Sequence, residues 1–379
     1  MPNTPSSAFS ETQQMLALCY ISYFHYAATA TDRENARKIS HEIDDEIAKS
    51  AVVQGQWERV WGPALFALPG SKFDDALVYV VKHRVQENHF AIVVRGTNPI
   101  SLPNWVLWNF QAKDLKLWPG YTEKKDKNGK NNPILSPSCS KITQLQEDQL
   151  PCISESSFFG LLVMQALRPP IGILGCNSNL LEFFREQQES LKPGSEPLSI
   201  IATGHSLGGA LSPLIALWLK EENIPAKFQS ITFASPTQGN KTFVEYFHYQ
   251  IQREDCIRVA NDLDIVTLAW DPALMSNILN VYLKQCPPLY PLPHSWLLLR
   301  RLQSRSEKKT YRHLADRSAV FPGVFCPTKV PYLYQAIYQH VMAYPKLLDI
   351  DDHINWDSWN PFFKLIGQEI RLMAYRMIT

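Results

Sequence analysis

The chain has 379 residues, with 37 Lys and Arg against 36 Asp and Glu and a net charge of +1. That length holds two domains, or one large α/β domain with additions, and the balanced charge gives no field that would draw nucleic acid. Hydrophobic residues at 45% exclude wholesale disorder, while charged residues at 19% and 27 Pro leave a lightly charged, proline-rich chain.

Residues 12 to 31 carry no charged side chain, and Ala28-Thr29-Ala30 mimics a signal-peptidase site. No Lys or Arg precedes the run, however, and Tyr20, Ser22, Tyr23, His25 and Tyr26 interrupt it, so it is too polar to span a membrane. A half-buried helix over Thr12–Thr29 is expected, in a protein that is cytoplasmic or exported without a cleaved signal; an export signal is the alternative. Residues 33 to 50 are charged and helix-prone, and residues 1–70 are expected to form a helical part. Ala76–Lys82 and Phe90–Val94 are short apolar runs about a polar turn and read as paired strands. Helices are expected over Glu155–Leu167 and Asn179–Leu191. Leu198–Thr203, Phe228–Ala234 and Cys256–Ala260 read as buried parallel strands, with a helix over Gly208–Lys220. The alternation predicts one α/β domain over 1–379, a mostly parallel sheet covered by helices on both faces. Residues 269–330 are rich in Pro and then basic: seven Lys and Arg against two acids, +5, lie between Arg300 and Arg317. They are expected to form an insertion over the core. The seven cysteines form no CxxC and no cluster with His, which predicts reduced thiols and no metal or other cofactor.

Gly204-His205-Ser206-Leu207-Gly208 matches G-x-S-x-G. The bare pattern is weak, with about 0.1 chance matches in a chain of this length. Its place between a strand and a helix makes it strong, because that turn lifts a serine hydroxyl above a sheet. Glycines two residues either side relieve the crowding, and the Leu207 amide opens the helix toward a developing oxyanion. Pro213 should kink this helix by leaving the Gly209 carbonyl unbonded. Such a serine needs a base and an orienting carboxylate, following it in the order acid, histidine. Asp262 or Asp264 fits the acid, at the end of the strand CIRVA. His294, His313, His340 and His353 are candidates for the base, with His340 at the start of a possible final helix.

Five strings, VVRGT (Val93–Thr97), GHSLGGAL, FASPTQGN (Phe233–Asn240), NDLDIV (Asn261–Val266) and HVMAY (His340–Tyr344), occur in the order found in class 3 lipases. Over roughly residues 50 to 350 the chain resembles that family, the fungal-lipase-like α/β hydrolases. The resemblance implies the α/β-hydrolase fold, with Ser206 as nucleophile, Asp264 as acid and His340 as base. It also implies an oxyanion hole from Thr97 and the Leu207 amide. The chain departs from the family in having Ala234 where Gly is commoner, Thr267 where Pro is usual, and 76 residues between Asp264 and His340.

By the same resemblance, residues 98–112, with Trp105 and Trp108 in an uncharged stretch, stand where a lid lies; a buried aromatic helix is the alternative. Trp296 beside Arg300, Arg301 and Arg305 suits an anionic membrane surface, or else a solvated charge cluster. The expected activity is hydrolysis of carboxylic esters of acyl lipids, of triacylglycerol lipase or phospholipase A type, on lipid at a membrane or emulsion surface. Acyl transfer, a non-lipid esterase, and an inactive membrane-binding member are the alternatives.

Overall fold

The computed structural model describes residues 9–23, 32–67, 76–96, 115–121, 149–278, 280–282, 304, 310–314, 320–326 and 332–356. Two helices come first, α1 (Glu11–Ile21) and α2 (Asp32–Lys49), then strands β1 (Trp57–Phe66), β2 (Ala76–His83), β3 (His89–Val94), β4 (Leu115–Leu117) and β5 (Cys152–Ser154). Next come α3 (Glu155–Ala166), α4 (Leu180–Glu189), β6 (Leu198–His205), α5 (Leu207–Glu221), β7 (Ala226–Phe233) and β8 (Gly239–Asn240). The described chain continues through α6 (Lys241–Gln250), β9 (Cys256–Asn261), α7 (Pro272–Met275), β10 (Tyr311–Arg312) and β11 (Val320–Phe321). It ends in α8 (Tyr332–Ile337), a π-helical turn (Tyr338–Met342) and α9 (Ala343–Leu347).

The main sheet has the order β1-β2-β3-β6-β7-β9-β11. β1–β2 and β2–β3 pair antiparallel, and every pair from β3 onward is parallel. Its central strands are apolar at successive positions because both faces are covered. Tyr79, Val81, Ala91, Val93 and Ile201 point to one face, with α1, α2 and Tyr344. Val78, Val80, Phe90, Ile92, Val94, Ile200 and Ala202 point to the other, with α3, α4, α5 and α6. α2 buries Ala36, Ile39, Ile43 and Ile47, one face at helical spacing, each isoleucine contributing roughly 1.5–3 kcal/mol. α5 is buried from Gly208 to Leu219, which is why it is apolar all round.

Three sequence expectations change. The first helix is shorter than Thr12–Thr29 and is not half-buried: Gln14 to Ile21 are all buried. Its Cys19 points inward to the Thr203 hydroxyl at 3.4 Å, and the Tyr79 hydroxyl of β2 donates to its Leu18 carbonyl at 2.7 Å. Burial pushes the Cys19 thiol up to about 12. Second, residues 1–70 are not wholly helical, since Trp57–Phe66 is the first strand of the main sheet. Its charge hid it. Arg59 sits buried within the strand because Asp44 of α2 receives both its Nε and Nη2, at 2.8 and 2.6 Å. Third, the 269–330 stretch does more than lie over the core. Tyr311–Arg312 pairs with β8 in a small four-stranded sheet, and Val320–Phe321 extends the main sheet beside β9.

Among the described residues, no helix is long and apolar enough to cross a membrane, and no group of His, Cys, Asp or Glu is arranged to hold a metal ion.

Candidate active site

β6 ends at His205 and α5 begins at Leu207, so Ser206 alone makes the turn, at φ 60° and ψ −127°. That conformation is unfavourable for any residue with a Cβ and persists only where its surroundings hold it. Here the Ser206 amide donates to the Phe233 carbonyl at 2.9 Å, tying the tip to the end of β7. The glycines are demanded by contact. A Cβ on Gly204 would lie 2.3 Å from the Gly208 carbonyl carbon, and one on Gly208 would lie 2.1 Å from the Val94 carbonyl oxygen. Leu207 takes the first position of α5, where opening amides have no intrahelical partner and the helix dipole favours negative charge.

α5 runs through Pro213 from Leu207 to Glu221. The Gly209 carbonyl that Pro213 leaves unbonded accepts instead from Gln238 Nε2, at 3.5 Å. Ala234 holds φ 53°, the left-handed region in which Gly costs least, and this accounts for the family's preference there.

Asp264 follows β9 and caps the short 3₁₀ turn Ile265–Leu268, its Oδ1 accepting from the Val266 amide at 3.0 Å. Thr267, where the family has Pro, returns its hydroxyl to the Asp264 carbonyl at 2.8 Å. The neighbouring Asp262 is engaged elsewhere, accepting from the Gly323 amide at 2.6 Å.

His340 does not open a helix; it lies in the π-helical turn between α8 and α9. Its Nδ1 donates to the Asp264 carboxylate, at 2.9 Å from Oδ2 and 3.1 Å from Oδ1. With Nδ1 protonated, the neutral ring presents a lone pair at Nε2, 2.9 Å from Ser206 Oγ, to accept the hydroxyl proton. Asp264, Ser206 and His340 are all buried. The competing histidines are elsewhere: His313 Nε2 donates to the Thr267 carbonyl at 2.9 Å, and His353 packs on Phe9 with ring centroids 5.1 Å apart. His294 lies outside the described residues.

Six residues complete the surroundings, five of them left without a role by sequence reasoning and the sixth, His205, placed only in the elbow. The Tyr344 hydroxyl donates to Asp264 Oδ2 at 2.8 Å while accepting the Asn261 amide at 3.1 Å. Asn261 Nδ2 donates to Gln339 Oε1 at 2.6 Å and to its carbonyl at 3.2 Å, so the strand before Asp264 grips the turn of His340. His205 Nε2 donates to the His340 carbonyl at 2.8 Å, and Nδ1 lies 2.6 Å from the Tyr23 hydroxyl. Tyr20 donates to the Val341 carbonyl, four residues before Pro345, which has no amide hydrogen to offer it. The available signal was the polar residues that interrupt an otherwise apolar N-terminal run.

Thr97, the lid stretch 98–112 with Trp105 and Trp108, and the basic group Trp296, Arg300, Arg301 and Arg305 lie outside the described residues. Gly96, just before Thr97, is described. A Cβ there would stand 2.9 Å from the Ser206 Cβ, so the chain just beyond β3 passes close against the serine. A cavity of about 800 Å³ lined by Arg253, Arg258, Asp262, Thr267, Asp271 and Arg312, among others, shares the acid's loop. Ser206 and His340 do not line it.

Comparison with known proteins bears on the family and the fold. The model of the family Lipase (class 3) matches residues 159–271, which take in Ser206 and Asp264 and stop short of His340. Among curated proteins, the chain is 29% identical over 163 residues to phospholipase A(1) DAD1, chloroplastic, of Arabidopsis thaliana. It is 47% identical over 45 residues to the lipase-like PAD4 of the same plant. These matches cover 35% and 11% of this chain and only 34% and 8% of those relatives' lengths. The crystal structure of M37 lipase is similar over far more, at 31% identity and a TM-score of 0.76, covering 92% of this chain and 96% of that one. The parallel sheet with helices on both faces is the α/β-hydrolase fold, and by likeness to M37 lipase over nearly its whole length the chain belongs to the class 3 lipase family, a family of carboxylic ester hydrolases.

Proposed function

We propose that this protein hydrolyses the carboxylic esters of acyl lipids through an acyl-enzyme formed on Ser206. In this reading Ser206 Oγ attacks the acyl carbonyl while His340 Nε2 takes its proton. The Leu207 amide, with Thr97 beside Gly96, stabilises the oxyanion. The ester C–O bond then breaks, and His340 returns the proton to the departing alcohol oxygen. A water molecule, activated in turn by His340, adds to the acyl carbon, releasing the fatty acid and restoring the Ser206 hydroxyl. Asp264 holds His340 in the required tautomer and stabilises the imidazolium as it forms.

The observation that carries this reading is the unbroken chain Ser206–His340–Asp264 at 2.9 and 2.9 Å, on a serine held at a positive φ between β6 and α5. The phospholipase A(1) relative supports phospholipid as a substrate class alongside glycerides.

Reaction with a fluorophosphonate should label Ser206, and Ser206→Ala should abolish labelling. The same variant should lose on the order of 10⁴-fold or more in fatty-acid release with an unchanged melting temperature. Full activity in Ser206→Ala would end the proposal. Fatty-acid release from defined triacylglycerols, phosphatidylcholine and phosphatidylglycerol then decides the headgroup, and short soluble esters separate a lipid hydrolase from a general esterase.

A further inference from the structure

We propose that Tyr23 and His205 are positioning residues that tie Gly96, just beyond β3, to the helical turn carrying His340. The proposal rests on the serine-hydrolase reading above. It follows from where the protons must be. The His340 carbonyl can only accept, so His205 Nε2, 2.8 Å away, must carry a hydrogen. In a neutral ring Nδ1 is then the acceptor, and the Tyr23 hydroxyl at 2.6 Å is its donor. The same Tyr23 oxygen receives the backbone N–H of Gly96. One direction of donation therefore runs from Gly96 through Tyr23 and His205 to the main chain of His340.

The chain is dry and uncharged. Tyr23 and His205 are buried, and burial raises the phenol's pKa and lowers the imidazole's well below its ordinary value. Neutrality matters because the His205 and His340 ring centroids are 4.8 Å apart. A cationic His205 would oppose the charge His340 acquires when it takes the serine proton. The approach is also sterically close: a Cβ on Gly96 would stand 2.7 Å from the Tyr23 oxygen and 2.5 Å from the His205 carbonyl. Gly96 thus lets the chain just beyond β3, the serine turn and the phenol meet at one point. Tyr23 stands two residues beyond α1, so the buried N-terminal helix sets the spacing between the parts of the active site that come from β3 and from the C-terminal helical run.

The test uses the full chain, a short soluble ester and fluorophosphonate labelling. Tyr23→Phe should lower kcat about 10-fold with KM changed less than about twofold and little change in melting temperature. His205→Gln, whose amide nitrogen stands where Nε2 does but which offers Tyr23 no acceptor at the Nδ1 position, should fall about 10-fold, as Tyr23→Phe does, whereas His205→Asn, which reaches only toward Tyr23, should fall by about 100-fold or more. Both changes cut one chain, so Tyr23→Phe combined with His205→Asn should be no slower than His205→Asn alone. A parent-like kcat in Tyr23→Phe, equal rates for the Gln and Asn variants, or losses that multiply in the double variant would each overturn the proposal. Should His205→Asn fail to fold, the kcat of Tyr23→Phe decides alone. A parent protein that neither labels at Ser206 nor hydrolyses the ester would instead sink the serine-hydrolase reading itself.

Discussion

Ser206 and His340 meet at 2.9 Å but are held by opposite means. The serine is presented locally: within five residues, one positive φ and two glycines, pressed against Val94 and the start of α5, leave the side chain a single place to go. The histidine is presented at long range. Its turn is held by Tyr20 and His205, by Asn261 through Gln339, and by the Asp264 carboxylate that Tyr344 shares. Those partners span more than 300 positions of the chain. A nucleophile must stand at one strained point, and local sterics can impose that; a base must be aimed, and aiming needs contacts from several directions.

The sharpest way to break the long-range half is at its charge. Asp264→Asn removes the acceptor that fixes the His340 tautomer and should lower kcat on the order of 10⁴-fold with geometry intact, measured by steady-state ester hydrolysis. The local half breaks sterically. Gly208→Ala drives a methyl into the Val94 carbonyl and should cost about 1–3 kcal/mol in urea unfolding, with activity falling as the turn shifts. If that cost is absent, the elbow is looser than its contacts imply. Tyr344→Phe deletes one of the donors to Asp264 and should lower kcat about 10-fold, a smaller effect because His340 and the Val266 amide still hold the carboxylate.

The smallest effect is in acid. Burial, and then the neighbouring His340, lower the His205 pKa well below 6.5. In the unfolded chain this histidine binds a proton as pH falls through about 6.5, whereas in the folded chain it does not. The unfolded state therefore gains protons first, and stability drops by up to about 1.4 kcal/mol per pH unit below that point. Urea midpoints measured from pH 7.5 to 5 should converge for the parent and His205→Gln as pH falls, because the variant lacks this proton uptake. Parallel curves would mean that His205 takes up its proton alike in the folded and the unfolded chain.

The same contrast explains what could be read from the chain. The elbow was legible because its cause lies within five residues: strand, Gly-x-Ser-x-Gly, helix. The parallel strands were legible from their apolar runs, which burial on both faces requires. The pairing of His340 with Asp264 needed the family resemblance, since nothing near His340 in sequence says that Asp264, 76 residues earlier, faces it. β1 stayed hidden because Arg59 and Glu58 spoil the apolar pattern, and Asp44, fifteen residues away, makes Arg59 tolerable. Tyr20 and Tyr23 read as blemishes in an apolar helix, when their hydroxyls reach across the molecule to the carbonyl of Val341 and the ring of His205. Such long-range polar partners leave no periodic trace.

Cys19 offers a clock for the N-terminal helix. Its thiol is buried against Thr203 of β6, and at a pKa of about 12 it is almost entirely in the unreactive protonated form. Alkylation of this one side chain must wait for α1 to leave the sheet. Its rate, followed by mass spectrometry at the peptide containing Cys19, therefore times the detachment of the helix from which Tyr20 and Tyr23 reach toward the active site. An alkylation rate that matches the rate of inactivation under mild urea would place the loss of activity at that detachment, ahead of global unfolding.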